Sequence, residues 1–200
     1  MQTILVDIDR RGVATLTLNR PDVHNAFDDK MIVAITGHLK KLDGDPDVRV
    51  VVLRGSGKSF SAGADLNWMK RTTQYSYQEN LADANDLADM LWTLNRLSKP
   101  TVAVVQGAAY GGGVGLVATC DIVVASEQAK FRLSEARLGI MASVISPYVL
   151  AAIGESQARR YPLTAEPFGA QDARRIGLIH DVVDADDLAA RAGHLVAMLL

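Results

Sequence analysis

Apolar and polar residues follow one another in patterns that divide this chain into short strands and amphipathic helices. Over residues 4–9, and again over 13–18, the two kinds alternate, with Arg11-Gly12 between the two stretches. Alternation on either side of a glycine-containing turn is typical of a β-hairpin. Further runs of mainly apolar residues predict strands at 48–53, 101–105, 122–125 and 179–183.

Other stretches have the apolar spacing of helices. Apolar residues recur at helical intervals from about residue 77 to 97, which predicts one long amphipathic helix. Asp28 is placed to cap an earlier helix that ends near Leu42. Shorter helices are predicted near 65, from 111 to about 120, over 142–153, 156–163 and 171–176, and from about 186 onward.

Strands and helices alternate along the chain, which indicates an α/β fold with crossover connections. From this pattern alone we predict an open, doubly wound parallel sheet. The length of 200 residues and the hydrophobic share of 48% fit one domain, residues 1–200, that buries a sizeable core.

Charge and composition argue against several classes of function. A formal net charge of −2 provides no basic surface for nucleic acid. No apolar run reaches the roughly 18 residues that a membrane-spanning helix needs, so we predict no membrane partner. The one cysteine, Cys120, cannot form an internal disulfide, and the start of the chain lacks a signal-peptide pattern. Both observations predict a cytoplasmic protein with a reduced thiol.

Candidate chemistry is concentrated between residues 101 and 139. Three consecutive glycines, 111–113, follow a predicted strand and open an apolar helix. The first N–H groups of a helix have no intrahelical acceptor, and glycine lets the backbone approach an oxygen closely. A second glycine-containing loop, 55–63, also follows a strand, and Glu135 lies downstream. Either loop alone is explained by a tight turn, but two loops and an acid suit a site that stabilises an anion while moving a proton.

Six segments, taken in order, resemble the crotonase, or enoyl-CoA hydratase/isomerase, superfamily. They are NRPDVHNAF (19–27), SFSAGADL (59–66), QGAAYGGGVGL (106–116), CDIVVA (120–125), SEARLG (134–139) and LTAEPFGAQDARRIGLIHDVV (163–183). The resemblance implies a crotonase-like spiral, or superhelix, of ββα units in place of the doubly wound sheet. The spiral would occupy about 1–185, and 186–200 would begin a C-terminal helical region. Because members usually continue through further helices, we expect that region to be truncated here. Homotrimers, often paired into hexamers, are also implied.

The resemblance assigns roles residue by residue. The backbone N–H groups of Ala64 and Gly112 correspond to the pair that holds the thioester oxygen of the substrate, and Glu135 corresponds to an acid/base. The positions implied for coenzyme A are His24, Asn25, Ala26, Ser61, Ala62 and Asp65. Asp65 is also expected to hold its loop by capping a helix. No metal and no permanently bound cofactor are implied, since the substrate arrives as a coenzyme A thioester.

Hydratases of the best-known type have a further glutamate shortly after the glycine run. This chain has Gly115 there, so the pair of carboxylates is broken, and we expect room for a bulkier substrate. Glu135 is then left to take a proton from water and return it to the α-carbon, since one carboxylate can fill both roles in turn. A single glutamate also suffices for double-bond isomerisation. The lost glutamate equally suits a protein that binds acyl-CoA without chemistry.

The stretch from 138 to 168, together with SAGADLNWM (61–69), is most similar to a bacterial subgroup. Its members are assigned as methylglutaconyl-CoA hydratases of leucine catabolism or isohexenylglutaconyl-CoA hydratases of acyclic terpene breakdown. Both substrates are branched and have a second carboxylate, which an arginine can pair. Arg132 and Arg137 are nearest to Glu135 in sequence, although solvent-facing positions suit both better. We predict hydration of a branched enoyl-CoA such as 3-methylglutaconyl-CoA.

Overall fold

The computed structural model, which describes residues 2–200, contains a six-stranded and a three-stranded sheet. The larger sheet consists of β1 (Ile4–Ile8), β2 (Val13–Leu18), β3 (Val50–Gly55), β4 (Thr101–Val105), β6 (Ile122–Ser126) and β9 (Asp181–Val183). The smaller sheet consists of β5 (Ala109–Tyr110), β7 (Lys130–Arg132) and β8 (Phe168–Gly169).

Helices connect these strands. The α-helices are α1 (Asp29–Gly44), α2 (Leu66–Thr72), α3 (Tyr77–Asn95), α4 (Gly112–Thr119), α5 (Ser146–Thr164), α6 (Ala170–Arg175) and α7 (Leu188–Leu199). Single 3-10 turns occur at Pro21–Val23, Glu135–Leu138 and Ala185–Asp187.

The order of strands in the larger sheet corrects the topology expected from the pattern alone. β1 and β2 form the predicted antiparallel hairpin, and every later neighbour in this sheet is parallel. The spatial order β1-β2-β3-β4-β6-β9 follows the chain without reversing. A doubly wound sheet reverses at a switch point, so that expectation is wrong. The chain instead advances in one direction and contributes short strands to the second sheet, as in the predicted spiral.

Continuous apolar runs form the central strands because both faces of the larger sheet are covered. In β4, Ala103 and Val105 face the main core, which also contains buried residues of α1, α3, α4 and α5. Val102 faces the other way and packs with Val196 of α7. A parallel strand covered by helices on both faces needs apolar residues at successive positions.

Two helical predictions needed revision. The helices expected at 142–153 and 156–163 form one element, α5, interrupted at Gly154, where φ is 74°. α5 begins at Ser146, later than expected, with Pro147 in its first turn, where a missing N–H is tolerated. Leu81, which has the spacing of the apolar face of α3, is 47% exposed.

Two general properties bear on function. Within residues 2–200, the structure contains no helix with the length and apolar composition that crossing a membrane requires. Cys120 is buried at the end of α4, and burial raises the pKa of its thiol to about 12. A thiol of this kind packs as a small apolar group and is a poor nucleophile.

Candidate active site

The two glycine-containing loops come into direct contact. Gly63 has a φ of 82°, and a side chain there would place its Cβ 2.5 Å from the carbonyl oxygen of Tyr110 and 3.1 Å from the nitrogen of Gly112. Glycine tolerates both this conformation and this close approach. The Tyr110 N–H also donates to the carbonyl oxygen of Ser61 across 2.9 Å. The chain segments that follow Gly63 and Gly111 therefore meet at one point.

Two backbone N–H groups at this point are available to an outside oxygen. Gly112 is the first residue of α4, so its N–H has no acceptor inside the helix. Beside Ala64, Phe27 donates to the carbonyl of Gly63, and Asp65 donates to the carbonyl of Phe27. In residues 2–200, these bonds leave the N–H groups of Ala64 and Gly112 without a partner. The arrangement suits the predicted pair of donors, although their binding of a thioester oxygen remains a prediction.

Glu135 lies beside this junction. It begins the 3-10 turn that follows β7, and its Oε1 would come within 3.1 Å of a Cβ built on Gly111. Its Oε2 is buried and has no hydrogen-bond partner within residues 2–200. A buried polar atom without a hydrogen bond lowers the stability of the fold, unless a ligand or water molecule donates to it.

Burial is the main reason why the pKa of the Glu135 carboxyl is raised above its ordinary value. The backbone N–H groups of Glu135 and Ser134 oppose this shift and do not overcome it. A raised carboxyl pKa brings proton loss and proton gain closer to neutral pH, where an acid/base group works best.

One cavity joins the three predicted catalytic residues. It has a volume of about 390 Å³, and Ala64, Gly112 and Glu135 all line it. Its other walls are mostly apolar and come from Phe27, α2, α3 and the segment before α5. They are formed by Phe27, Trp68, Met69, Thr72, Asn80, Asp83, Ala84, Leu87, Ile140, Met141, Ala142, Ser143, Val144 and Ile145. A mostly apolar cavity with a few polar groups at one point is the usual form of a small-molecule site.

The position of the missing glutamate is filled. A Cβ on Gly115 would lie 2.4 Å from Cγ2 of Ile145 and 3.8 Å from Cδ1 of Leu91. Ile145 is only 3% exposed and itself lines the cavity. The expectation that Gly115 leaves room for a bulkier substrate is therefore wrong, because the isoleucine side chain occupies that space.

The loop predicted to bind coenzyme A is held in an unusual conformation. His24 and Asn25 both have positive φ values, 55° and 54°. The Asn25 side chain accepts from the N–H of Arg20 and donates to the carbonyls of Ser56 and Ser59, each within 2.9 Å. His24 Nδ1 lies 3.0 Å from the hydroxyl of Ser59. Since Asn25 is fully buried, it positions the loop, and a contact with coenzyme A would fall to its neighbours.

The other residues predicted to bind coenzyme A have their N–H groups occupied. The backbone N–H of Ala26 donates to the carbonyl of Val23. The N–H of Ser61 donates to the carbonyl of Ala108, and that of Ala62 to the carbonyl of His24. Backbone contacts to coenzyme A from these residues would therefore use carbonyl oxygens. Their contact with coenzyme A stays a prediction.

Asp65 caps α2, as expected. Its Oδ1 accepts from the N–H groups of Asn67 and Trp68, and its Oδ2 accepts from the Arg20 guanidinium across 2.9 Å. Burial opposes ionisation of Asp65, but these donors outweigh it and lower the pKa of the carboxyl. Arg20 also donates to the carbonyl of Ala26 across 2.6 Å. The sequence analysis missed Arg20, and its place inside the NRPDVHNAF segment (19–27) was the only signal for it.

The arginines considered for a substrate carboxylate do not line the cavity. Arg132 donates to the carbonyl of Ala165 across 2.8 Å, and Arg137 is exposed. The sequence analysis also missed Asp83, which does line the cavity. Helical spacing offered a signal, because Asp83 lies four positions before Leu87, on the same face of α3.

Known proteins resemble this chain over nearly its whole length. The family model for enoyl-CoA hydratase/isomerase matches residues 9–200. The crystal structure of an enoyl-CoA hydratase from Shewanella pealeana ATCC 700345 is 44% identical, with a TM-score of 0.95, and the match covers 99% of this chain and 74% of that one. Pseudomonas aeruginosa AtuE is 35% identical, with a TM-score of 0.95 and coverage of 99% and 77%. A 2,3-dehydroadipyl-CoA hydratase from Escherichia coli (strain K12) is 36% identical over 188 residues, 93% of this chain and 71% of its own length.

Proposed function

The chain belongs to the enoyl-CoA hydratase/isomerase family, and from this premise we propose that it adds water across the α,β-double bond of a branched enoyl-CoA. The relatives named as hydratases support the predicted enzyme class, a lyase of the enoyl-CoA hydratase type. The observation on which the proposal rests most heavily is that Ala64, Gly112 and Glu135 line one cavity.

The reaction needs two kinds of assistance. Addition of a hydroxyl group to the β-carbon moves negative charge onto the thioester oxygen, and the N–H groups of Ala64 and Gly112 are the donors for that oxygen. Such donors contribute about 3–4 kcal/mol each to the stability of the transition state in comparable sites. The Glu135 carboxylate takes one proton from water as the C–O bond forms. It then gives that proton to the α-carbon as the enolate collapses, so that one molecule of water is added and the carboxylate is regenerated.

Incorporation of labelled oxygen from solvent tests this proposal. Wild-type protein given an enoyl-CoA should yield a 3-hydroxyacyl-CoA that contains the label. Glu135→Gln should reduce kcat by about a hundredfold or more, since general acid–base groups contribute on that scale. Glu127→Gln, which changes an exposed carboxylate, is the matched control and should retain activity. Absence of turnover in the wild type with 3-methylglutaconyl-CoA, crotonyl-CoA and their neutral branched analogues would overturn the proposal.

Double-bond isomerisation is the second candidate. It is favoured by one observation: Ile145 fills the space beside Gly115, so no second carboxylate lies there to hold a water molecule. An isomerase would exchange hydrogen with solvent and leave the product without labelled oxygen. Binding without chemistry is separated from both by calorimetry, because acyl-CoA would then bind wild type and Glu135→Gln alike while neither turned it over.

The acyl group proposed from the sequence is 3-methylglutaconyl, which would place the enzyme in leucine breakdown. The cavity volume of about 390 Å³ suits a short branched acyl group. Its lining within residues 2–200 includes no lysine or arginine to pair the second carboxylate of this substrate. The described lining therefore suits a branched acyl group and offers no cation for the second carboxylate of a dicarboxylic one.

We also propose a homotrimer, or a hexamer of paired trimers, in the cytoplasm, with coenzyme A present only as part of the substrate. Large apolar side chains on the surface support an assembly. They include Leu138, Ile140, Met141, Leu150, Leu163 and Met198, each at least 46% exposed. Where such side chains lie next to one another, the exposed apolar surface is characteristic of an interface between subunits.

A further inference from the structure

Helix α3 runs along the cavity from a buried end to an exposed end. At the buried end, Leu91 lies near Gly115 of α4, the helix whose first N–H faces the reaction site. Leu87 and Asp83 follow on the same face, and exposed Asn80 lies at the outer end. With a rise of about 1.5 Å per residue, Asp83 lies about 12 Å from Leu91 along the helix axis. None of the residues predicted to bind coenzyme A lines this cavity, so under the proposed function the acyl chain is the part of the substrate that extends along it, past Leu87 and toward Asp83.

The charges around Asp83 are mainly negative. Asp29 of α1 and Asp86 of α3 act on it electrostatically, and Glu79 lies on its outer side, with Lys30 and Tyr75 nearby. Arg71 of α2 is the cation that acts on Asp83, and it is paired with Asp29 across 2.9 Å. The indole N–H of Trp68 lies beside the carboxyl, short of a full hydrogen bond.

Burial, followed by the charge of Asp29, raises the pKa of the Asp83 carboxyl. Negative charge at this end of the cavity is thus already unfavourable before a substrate enters. A second carboxylate on the acyl chain would add to the same repulsion, with no lysine or arginine in the described lining to offset it. An uncharged alkyl end has no such cost and gains from burial against Leu87, Met69 and Ala84.

We propose that Asp83 is a specificity-determining residue, which directs this hydratase to branched enoyl-CoA substrates with an uncharged acyl end and against those that end in a carboxylate. The inference rests on the proposed function and narrows its substrate class. It replaces 3-methylglutaconyl-CoA with a neutral branched acyl group as the preferred substrate.

Two substrates of nearly equal shape test the inference at neutral pH. One is 3-methylglutaconyl-CoA, and the other is 3,5-dimethylhex-2-enoyl-CoA, in which an isopropyl group replaces the carboxylate. Wild-type protein should have the higher kcat/KM with the neutral substrate. Asp83→Asn should raise kcat/KM for the carboxylated substrate by about tenfold, the size expected for one charge a few ångströms away in a partly buried site. It should change kcat/KM for the neutral substrate by less than about twofold.

Asp86→Asn is the matched control, because it removes the same charge from α3 at a residue that does not line the cavity. Asp86→Asn should change the ratio of kcat/KM for the two substrates much less than Asp83→Asn does. A wild-type preference for 3-methylglutaconyl-CoA, or an unchanged ratio in Asp83→Asn, would overturn the inference while leaving the hydratase proposal intact. If no enoyl-CoA is turned over, the proposed function fails instead. The ratio of binding constants for the two thioesters, measured by calorimetry in the same variants, then decides the role of Asp83.

Discussion

At the scale of single residues, Glu135 shows how a catalytic role conflicts with stability. Its carboxyl is partly buried, its Oε2 has no partner within residues 2–200, and its pKa is raised by burial. A residue chosen only for stability would not leave such an atom unsatisfied. The cost is understandable if a water molecule or substrate completes the site during the reaction.

The pH dependence of stability follows from the direction of this pKa shift. A carboxyl with a pKa raised in the folded state favours the protonated form, so its ionisation costs stability as pH rises through the folded pKa. Glu135→Gln removes that cost. The variant should therefore unfold at higher denaturant concentration than wild type at neutral pH, by on the order of 1 kcal/mol. The difference should shrink below the ordinary pKa of glutamate, where both proteins have a neutral side chain at position 135.

Urea titrations of both proteins across acidic and neutral pH provide this comparison. Other carboxyls titrate in the same range, but they are common to both proteins and cancel in the difference. Two results would contradict this account of Glu135. One is a difference in the free energy of unfolding that grows toward acid pH, and the other is a Glu135→Gln variant less stable than wild type at neutral pH.

The sequence was informative for residues that act through local chain geometry. Glycines at 111–113 and the loop before Ala64 indicated backbone donors, and the family resemblance then identified Glu135. Contacts between segments far apart in the chain could not be predicted from local sequence patterns. Ile145 reaches Gly115 only because α4 and the segment before α5 pack together, and no local pattern records that contact. Asp83 was missed for a different reason: its helical spacing placed it on the face of Leu87, but a charged residue on a helix usually faces solvent.

At the scale of elements, the cavity depends on how α4 packs against the segment that leads into α5. Gly115 is needed in α4 because Ile145 occupies the space that any side chain would require. The Ile145 side chain fills the space where relatives of the best-known type have a glutamate. Glu135 is then the one acid predicted to act in catalysis. The same packing places Ile140 to Val144 along the cavity.

Replacing Gly115 by glutamate should therefore destabilise the protein unless Ile145 is also replaced by a smaller residue. Gly115→Glu should destabilise the protein by about 3 kcal/mol or more, because its Cβ would overlap Ile145 and its carboxyl would be buried. Adding Ile145→Gly should recover much of that loss by opening the space. Gly37→Glu is the control, since nothing lies within 4 Å of a Cβ at that position of α1. Thermal unfolding measures all three, and a stable Gly115→Glu single variant would show that the isoleucine moves aside readily.

At the scale of the whole molecule, two sheets and a one-directional winding bring the loops at 55–63 and 106–112 together. Isolated bridges, Phe27 with Ala64 and Ser61 with Ala109, extend this contact beyond the regular strands. Periodicity predicted most of the strands and helices, but it does not encode strand order, and the pattern alone led to a doubly wound sheet. The family resemblance supplied the spiral, because it compares whole chains and so includes contacts between distant segments.

The most direct test of the central claim is a crystal structure of Glu135→Gln with an unreacted branched enoyl-CoA. The account predicts the thioester oxygen about 2.7–3.1 Å from the nitrogens of both Ala64 and Gly112. It also predicts the side chain of residue 135 beside the double bond and the acyl end near Asp83. A thioester oxygen bound by other groups, or a double bond out of reach of residue 135, would contradict it.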